Sequence, residues 1–257
     1  MPAEAPIVTL TNVAKTYANG VVAVRDISLA VEAREFLTLL GPSGCGKSTI
    51  LRLIAGLGSA TGGRIEWTGD ESRHAARRNI GFVFQEPTLM PWATVFDNVY
   101  LPLRLRGESR RAAAVRIGEA IALVGLEGFE RAYPRELSGG MKMRASIARA
   151  LVTRPEILLL DEPFAALDEL TRFKLNRDLL ALWSSQRLTV VFVTHSVYES
   201  VYLSERIVVI SARPGRVTEE IRIDEPYPRE EAFRLTPRYG EFCRRVSAAL
   251  ARSVGGA

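Results

Sequence analysis

The sequence predicts an α/β fold, a mainly parallel sheet covered by helices and interrupted by a helical insertion. Three observations carry this expectation. Predominantly apolar runs at residues 35–40, 157–160, 189–193 and 207–210 lack the alternation of half-exposed strands, as strands buried on both faces should. Helical periodicity at 169–184 and 197–203 separates the last three of them. Between Pro87 and Arg154 the strand pattern gives way to helical spacing, at 95–105 and 109–124.

The elements follow in order. Ile7-Val8-Thr9-Leu10 makes a first strand, and residues 21–32 supply two further short runs with alternation around Asp26. The run at 35–40 feeds straight into Gly41 and a helix beginning near Lys47. Ile65-Glu66-Trp67 follows a Gly62-Gly63 turn, and 79–85 is another buried strand. After the insertion and the three remaining core strands, Pro214-Gly215 turns the chain into a last strand at 217–223. Residues 229–252 read as a surface helix.

Composition bounds the function. The chain has 257 residues, 47% hydrophobic and 25% charged, which excludes a disordered chain or a disulfide-stapled miniprotein. No stretch approaches the roughly 18 apolar residues of a membrane helix. The N-terminal Met1-Pro2-Ala3-Glu4-Ala5-Pro6 lacks the basic start and apolar core of a secretion signal, so a cytoplasmic chain is expected. Net charge is +5, carried mostly by arginine, with lysine only at Lys15, Lys47, Lys142 and Lys174. These charges do not cluster among aromatics, and the densest group, between Arg104 and Arg116, reads as an exposed helix face rather than a nucleic-acid footprint. Two cysteines, Cys45 and Cys243, and two histidines, His74 and His195, rule out a zinc site. His74 lies in a polar stretch and is expected on the surface.

The chemistry starts at Gly41-Pro42-Ser43-Gly44-Cys45-Gly46-Lys47-Ser48, which fits the phosphate loop G-x-x-x-x-G-K-[ST] between an apolar strand and a helix. Glycines let backbone N–H groups converge on an anion at the helix N-terminus. Lys47 would reach the β- and γ-phosphates, and Ser48 would ligate Mg²⁺. Residues 157–160 end in Asp161 and Glu162, where open α/β sheets bind ligands. Asp161 suits the Mg²⁺ shell, and Glu162 can polarise an attacking water. His195 and Gln85 each end a core strand. The first is placed to contact a γ-phosphate, the second to reach Mg²⁺ and to report movement of the inserted helices. Ser138, Gly139 and Gly140 open an amphipathic helix whose N–H groups could bind an anion, although an ordinary serine cap explains the same residues.

The ordered set GPSGCGKST (including Thr49), Gln85, LSGGM, ILLLDEP, Ala166-Leu167-Asp168 and His195 resembles the nucleotide-binding subunits of ATP-binding cassette (ABC) transporters, over residues 7–225. The segments FQEPTLMPW (84–92), YPREL (133–137) and SARPGR (211–216) are similar to the nitrate/sulfonate/taurine importer branch. The resemblance implies a P-loop NTPase (RecA-like) core with an antiparallel β subdomain and an inserted α-helical subdomain. It implies one ABC domain at 7–245, with the core at 7–86 and 151–225, the helical part at 87–150 and a C-terminal tail at 226–257.

It also implies that Tyr17 stacks on adenine and that the cofactors are ATP and Mg²⁺. Two copies would close head to tail, so that Ser138 and Gly140 of one face the γ-phosphate held by Lys47 of the other, with Asp168 linking the two sites. Separate membrane permease subunits would dock near 85–92, served by an external solute-binding protein, on the cytoplasmic face of the membrane. Met141 stands where the family usually has Gln, and Ala165 where Gly or Ser is common. A soluble ABC protein of DNA repair or translation is the alternative. It would usually carry two cassettes, coiled coils or zinc modules, whereas each motif here occurs once. The 62 residues after His195 (257 − 195) are too few for a regulatory β-domain.

Overall fold

A computed structural model describes residues 6–68 and 79–255; His74 lies outside the described residues. The chain divides into two compact units, residues 1–78 with 186–257, and residues 79–185.

In the first unit, β1 (Pro6–Thr16) lies between β2 (Val22–Glu32) and β4 (Gly62–Trp67) in an antiparallel sheet. The structure corrects the expectation of two short runs at 21–32, since β2 is one strand. Its buried set shifts parity, from Val24 to Ile27, Leu29 and Val31. The reason is a bulge. Asp26 takes φ 56° and Asn12 on β1 takes φ 51°, with the register shifting around Val13↔Ile27. Each extra residue restores the inward face after interrupting the period of two.

The unit's second sheet portion sets β7 (Thr189–Thr194), β3 (Phe36–Leu40), β8 (Arg206–Ile210) and β9 (Val217–Arg222) side by side in that order. The first three run parallel and β9 antiparallel. All residues of β3, β7 and β8 are buried, which accounts for their unbroken apolar character. Among the described residues its α-helices are α1 (Lys47–Ile54), α6 (Val197–Leu203) and α7 (Pro237–Gly255).

The expected helix at 229–252 is also corrected. Residues Glu231–Leu235 form a separate 3-10 turn, and α7 starts at Pro237, where Thr236 Oγ1 accepts the Tyr239 N–H at 3.1 Å. Arg229 is therefore not helical. It is buried, and its guanidinium donates to the carbonyls of Val201, Tyr202 and Ser204 at the end of α6 and of Ile223 and Glu225, at 2.9–3.3 Å. Burial lowers its pKa, and its guanidinium carbon lies 4.1 Å from the centre of the Tyr227 ring.

The second unit pairs β5 (Ile80–Val83) and β6 (Ile157–Asp161) in parallel. Around them stand α2 (Val95–Leu105), α3 (Arg110–Leu123), α4 (Gly139–Leu151) and α5 (Glu169–Gln186). Thr94, Ser109 and Ser138 cap the first three, each side chain accepting a backbone N–H three residues on. The arginine-rich stretch from Arg104 is not one helix face: Gly107, at φ 81°, and the Ser109 cap divide it between α2 and α3. Part of its charge is matched, with Arg110 on Asp97 at 2.9 Å and Arg116 on Glu108.

One buried ion cluster ties the first unit together. Arg206 on β8 donates to Glu35 Oε1 and Oε2 at 2.6 and 2.8 Å, to Glu220 on β9 at 2.8 Å and to the Ala30 carbonyl on β2 at 2.6 Å. Burial pulls the Arg206 pKa down, but its bonds and charge contact with Glu35, joined by Glu220, outweigh that and raise it above the ordinary value. Removing one partner strands the other in a dry site. Arg206→Leu should cost about 3–5 kcal/mol in urea unfolding followed by circular dichroism. Glu35→Leu added to Arg206→Leu should recover most of that loss, because the unpaired buried carboxylate is gone.

Candidate active site

Parallel register builds the site. Leu40 pairs with Thr194 on one side and Val209 on the other. The residues that follow, Gly41, His195 and the segment after Ile210, thus leave the same edge of the sheet from adjacent strands, about 4.8 Å apart.

The loop at 41–46 fits only glycine at its critical points. Gly46 takes φ 97°, and a Cβ there would lie 2.5 Å from Val24 Cγ1 and 2.7 Å from the Ala23 carbonyl oxygen. A Cβ on Gly41 would stand 2.7 Å from the Ile210 carbonyl oxygen. Lys47 opens α1 and is buried, its ammonium donating to the Gly41 and Pro42 carbonyls at 2.8 and 2.9 Å. No side chain caps α1, and its first turn has no acid. A tight loop, an uncapped helix start and a lysine above them form a cradle suited to phosphate oxygens. Pro42, Ser43, Gly44, Cys45, Ser48 and Thr49 belong to the same turn and helix start. Tyr17, just past β1, joins this group: its hydroxyl lies 3.1 Å from Thr49 Oγ1, and 40% of the residue is exposed.

His195 is exposed at the end of β7, between Thr194 and Ser196. The Thr194 hydroxyl donates to Glu199 Oε2 at 2.5 Å, while its oxygen accepts the Ser196 N–H at 3.0 Å.

The sequence marks 211–216 as a turn and a likeness to the importer branch, and the structure places it against the phosphate loop. A Cβ on Gly44 would lie 3.0 Å from Arg213 Nη2, and one on Gly215 only 2.1 Å from the Cys45 carbonyl oxygen. Gly215 also donates to the Ala23 carbonyl and accepts from the Arg25 N–H, at 3.0 and 2.9 Å. The segment braces the phosphate loop from beneath. The Pro-Gly pair at a core strand's exit was the available signal.

In the second unit Val83 pairs with Leu160, so Gln85 and Asp161-Glu162 likewise leave one edge. Asp161 is buried and Gln85 exposed. Glu162 adopts φ 46°, a left-handed conformation costly for a residue with a Cβ and concentrated at functional positions. The stretch after Gln85 is clamped. Arg149 on α4 donates to the carbonyls of Pro87 and Thr88 and to Thr88 Oγ1 at 2.8–2.9 Å, and burial lowers its pKa. Buried Asn98 on α2 donates to the Met90, Ala93 and Thr94 carbonyls and accepts the Met90 N–H. Within that clamped stretch, Trp92 is 76% exposed.

Ser138 and Gly139 are exposed at the start of α4, and the Ser138 hydroxyl accepts the Met141 N–H at 3.2 Å. A Cβ on Gly140 would lie 2.7 Å from Thr171 Cγ2, so the glycine lets α4 start against α5. Asp168 caps α5, accepting the Thr171 N–H at 3.0 Å. That bond, with the Thr171 side chain, holds its pKa below the ordinary carboxylate value. The cap is therefore intact above the usual aspartate range and is lost as pH falls through the lowered value.

Among the described residues no group of three or more His, Cys, Asp or Glu could hold a metal ion. Mg²⁺ does not need one, because it retains waters and takes one or two protein oxygens plus phosphate. Ser48, Asp161 and Gln85 are oxygen donors of that kind.

A family model described as ABC transporter matches residues 24–165, more than half of the chain. The chain belongs to the ABC transporter family. It is an ATP-hydrolysing cassette coupled to transport. An uncharacterized ABC transporter ATP-binding protein of Methanocaldococcus jannaschii is 49% identical over 230 residues, 90% of this chain and 86% of the relative. The aliphatic sulfonates import ATP-binding protein of Bacillus licheniformis is 48% identical over 206 residues, 80% of this chain and 79% of that protein. Among solved structures, a dimeric post-hydrolysis ATP-binding cassette bound to ADP and Pi is similar with a TM-score of 0.73 and 35% identity, covering 85% of this chain and 100% of the other. No helix among the described residues is long and apolar enough to cross a membrane.

The geometry of the loop yields a direct test. Gly46→Ala places a methyl against Val24 and Ala23 at a φ that only glycine adopts readily. ATP affinity should fall about tenfold or more in titration with a fluorescent ATP analogue, while Gly58→Ala, with open space around it, should change it less than twofold.

Proposed function

We propose that this cassette powers an importer of small anionic solutes of the sulfonate type, working as a head-to-tail pair beneath separate membrane permease subunits. The single observation that carries the reading is the shared strand edge from which the phosphate loop and His195 emerge, joined to the family match. The sulfonate class is supported by relatives named for that import.

In this reading Tyr17 stacks on the adenine and the 41–49 turn wraps the phosphates. Lys47 shifts from its loop carbonyls to the β- and γ-phosphates, a charge-assisted contact stronger than the one it leaves. Ser48, Asp161 and Gln85 would hold Mg²⁺, which would supply positive charge to offset that of the phosphates. Glu162 accepts a proton from the attacking water, and His195 donates a hydrogen bond to the γ-phosphate as its charge develops. Ser138, Gly139 and Gly140 of a second copy present the start of α4 to that same phosphate, and Asp168 links the two halves. Met141 brings no side-chain donor there, so the contact rests on Ser138 and backbone N–H groups. The stretch at 85–92, clamped by Arg149 and Asn98 with Trp92 exposed, is the surface for the permease helices. An external solute-binding protein delivers the solute, and the cassette sits on the cytoplasmic face of the membrane.

Glu162→Gln should keep ATP affinity and lower phosphate release by about 10²–10⁴-fold in the assembled transporter. Normal turnover would overturn the role of Glu162. Light scattering tests the pairing: Glu162→Gln should dimerise with ATP, and Ser138→Arg added to it should remain monomeric while still binding ATP. A double variant that dimerises would remove Ser138 from the interface.

A further inference from the structure

We propose that Glu199 is a positioning residue for His195, acting through Thr194 and Ser196. The inference rests on the reading of His195 as the γ-phosphate contact. Ser196-Val197-Tyr198-Glu199 has the S-x-x-E pattern of a capping box, in which the glutamate would ordinarily reach back to the N–H of the capping serine. Half of that box forms as usual, since Ser196 Oγ accepts the Glu199 N–H at 3.3 Å. The other half is rerouted. The Ser196 N–H goes to Thr194 Oγ1 at 3.0 Å, and the Glu199 carboxylate takes the Thr194 hydroxyl at 2.5 Å.

Donor arithmetic fixes the direction. A carboxylate only accepts, so the single Thr194 hydroxyl proton points to Glu199, and its lone pairs are left for Ser196. The three bonds form a closed ring that encloses His195 in sequence: both of its neighbours are tied to one glutamate. Thr194 is 3% exposed and Glu199 7%, so water competes little for these bonds, whereas His195 itself is exposed. On the sheet side Thr194 is fixed opposite Leu40, the residue before the phosphate loop. A helix cap needs none of this rerouting. Its effect is to fix the backbone on both sides of His195 relative to Gly41.

The test compares Thr194→Val, which keeps shape and loses the hydroxyl, with Thr194→Ser, which keeps the hydroxyl, in the full chain assembled with its membrane subunits. Thr194→Val and Glu199→Ala should each lower single-turnover phosphate release about ten- to a hundredfold. ATP affinity should stay within about twofold, and Thr194→Ser should retain most of the rate. The deciding measurement is a double-mutant cycle with His195→Ala. If Thr194 acts through His195, Thr194→Val should slow the His195→Ala protein hardly at all. An equal slowing in both backgrounds would mark a merely structural role and overturn the proposal. Loss of rate in Thr194→Ser would overturn it as well. If His195→Ala alone keeps full turnover, the reading of His195 fails and the inference falls with it. If His195→Ala is slow while Thr194→Val is not, only the inference fails.

Discussion

Parallel pairing of fully buried strands is the constraint on which the rest depends. In a parallel pair, residues at the same level leave the same edge, so the pairings of Leu40 with Thr194 and with Val209 bring the phosphate loop beside two segments that lie more than 150 residues further along the chain. The pairing of Val83 with Leu160 does the same for Gln85 and Glu162. Such strands have no solvent face, so their interior positions are apolar unless a polar group finds a buried partner, as the Thr38 hydroxyl does at Ser204, and charged groups stand at their ends. Functional side chains therefore sit at or just past the end of each strand. A one-residue slip of β3 against β7 would move Gly41 by about 3.3 Å relative to His195.

The same constraint explains what could be read from the residues. Runs such as 157–160 announce buried strands because nothing polar interrupts them, and the chemistry follows at a fixed place, Asp161-Glu162. The phosphate loop is legible because its geometry is local, set by Gly41, Gly44 and Gly46 within six residues. What escaped reading depends on partners distant in sequence. The bulge at Asp26 breaks the period of two, and only Asn12 across the ladder shows that one strand continues through it. The bracing of Cys45 by Gly215 needs a contact across 170 residues, so SARPGR carried family likeness but no mechanical meaning. Arg229 reads as the start of a surface helix at 229–252, while its true environment is a cage of carbonyls supplied by α6 and the chain before it.

Two buried arginines in the first unit solve the same desolvation problem in opposite ways. Arg206 meets two carboxylates and a carbonyl, and its charge is matched by charge. Its contribution depends on partner side chains, so change at Glu35 must be accompanied by change at Arg206. Arg229 hydrogen-bonds carbonyl dipoles, three of them from the C-terminal end of α6, where the helix dipole favours a cation.

A guanidinium held by main-chain oxygens is indifferent to which side chains its partners carry. Residues 201, 204, 223 and 225 can vary without altering the hydrogen bonds, provided the chain path is kept, whereas the Tyr202 hydroxyl also donates to the Arg229 carbonyl at 2.9 Å. The carbonyls themselves do not titrate, so the hydrogen-bond acceptors are the same at every pH. It also couples five otherwise separate positions through one planar group, so that withdrawing the guanidinium leaves all five carbonyls short of a donor. The tail that leads to α7 is consequently expected to detach in a single step rather than fray from its end.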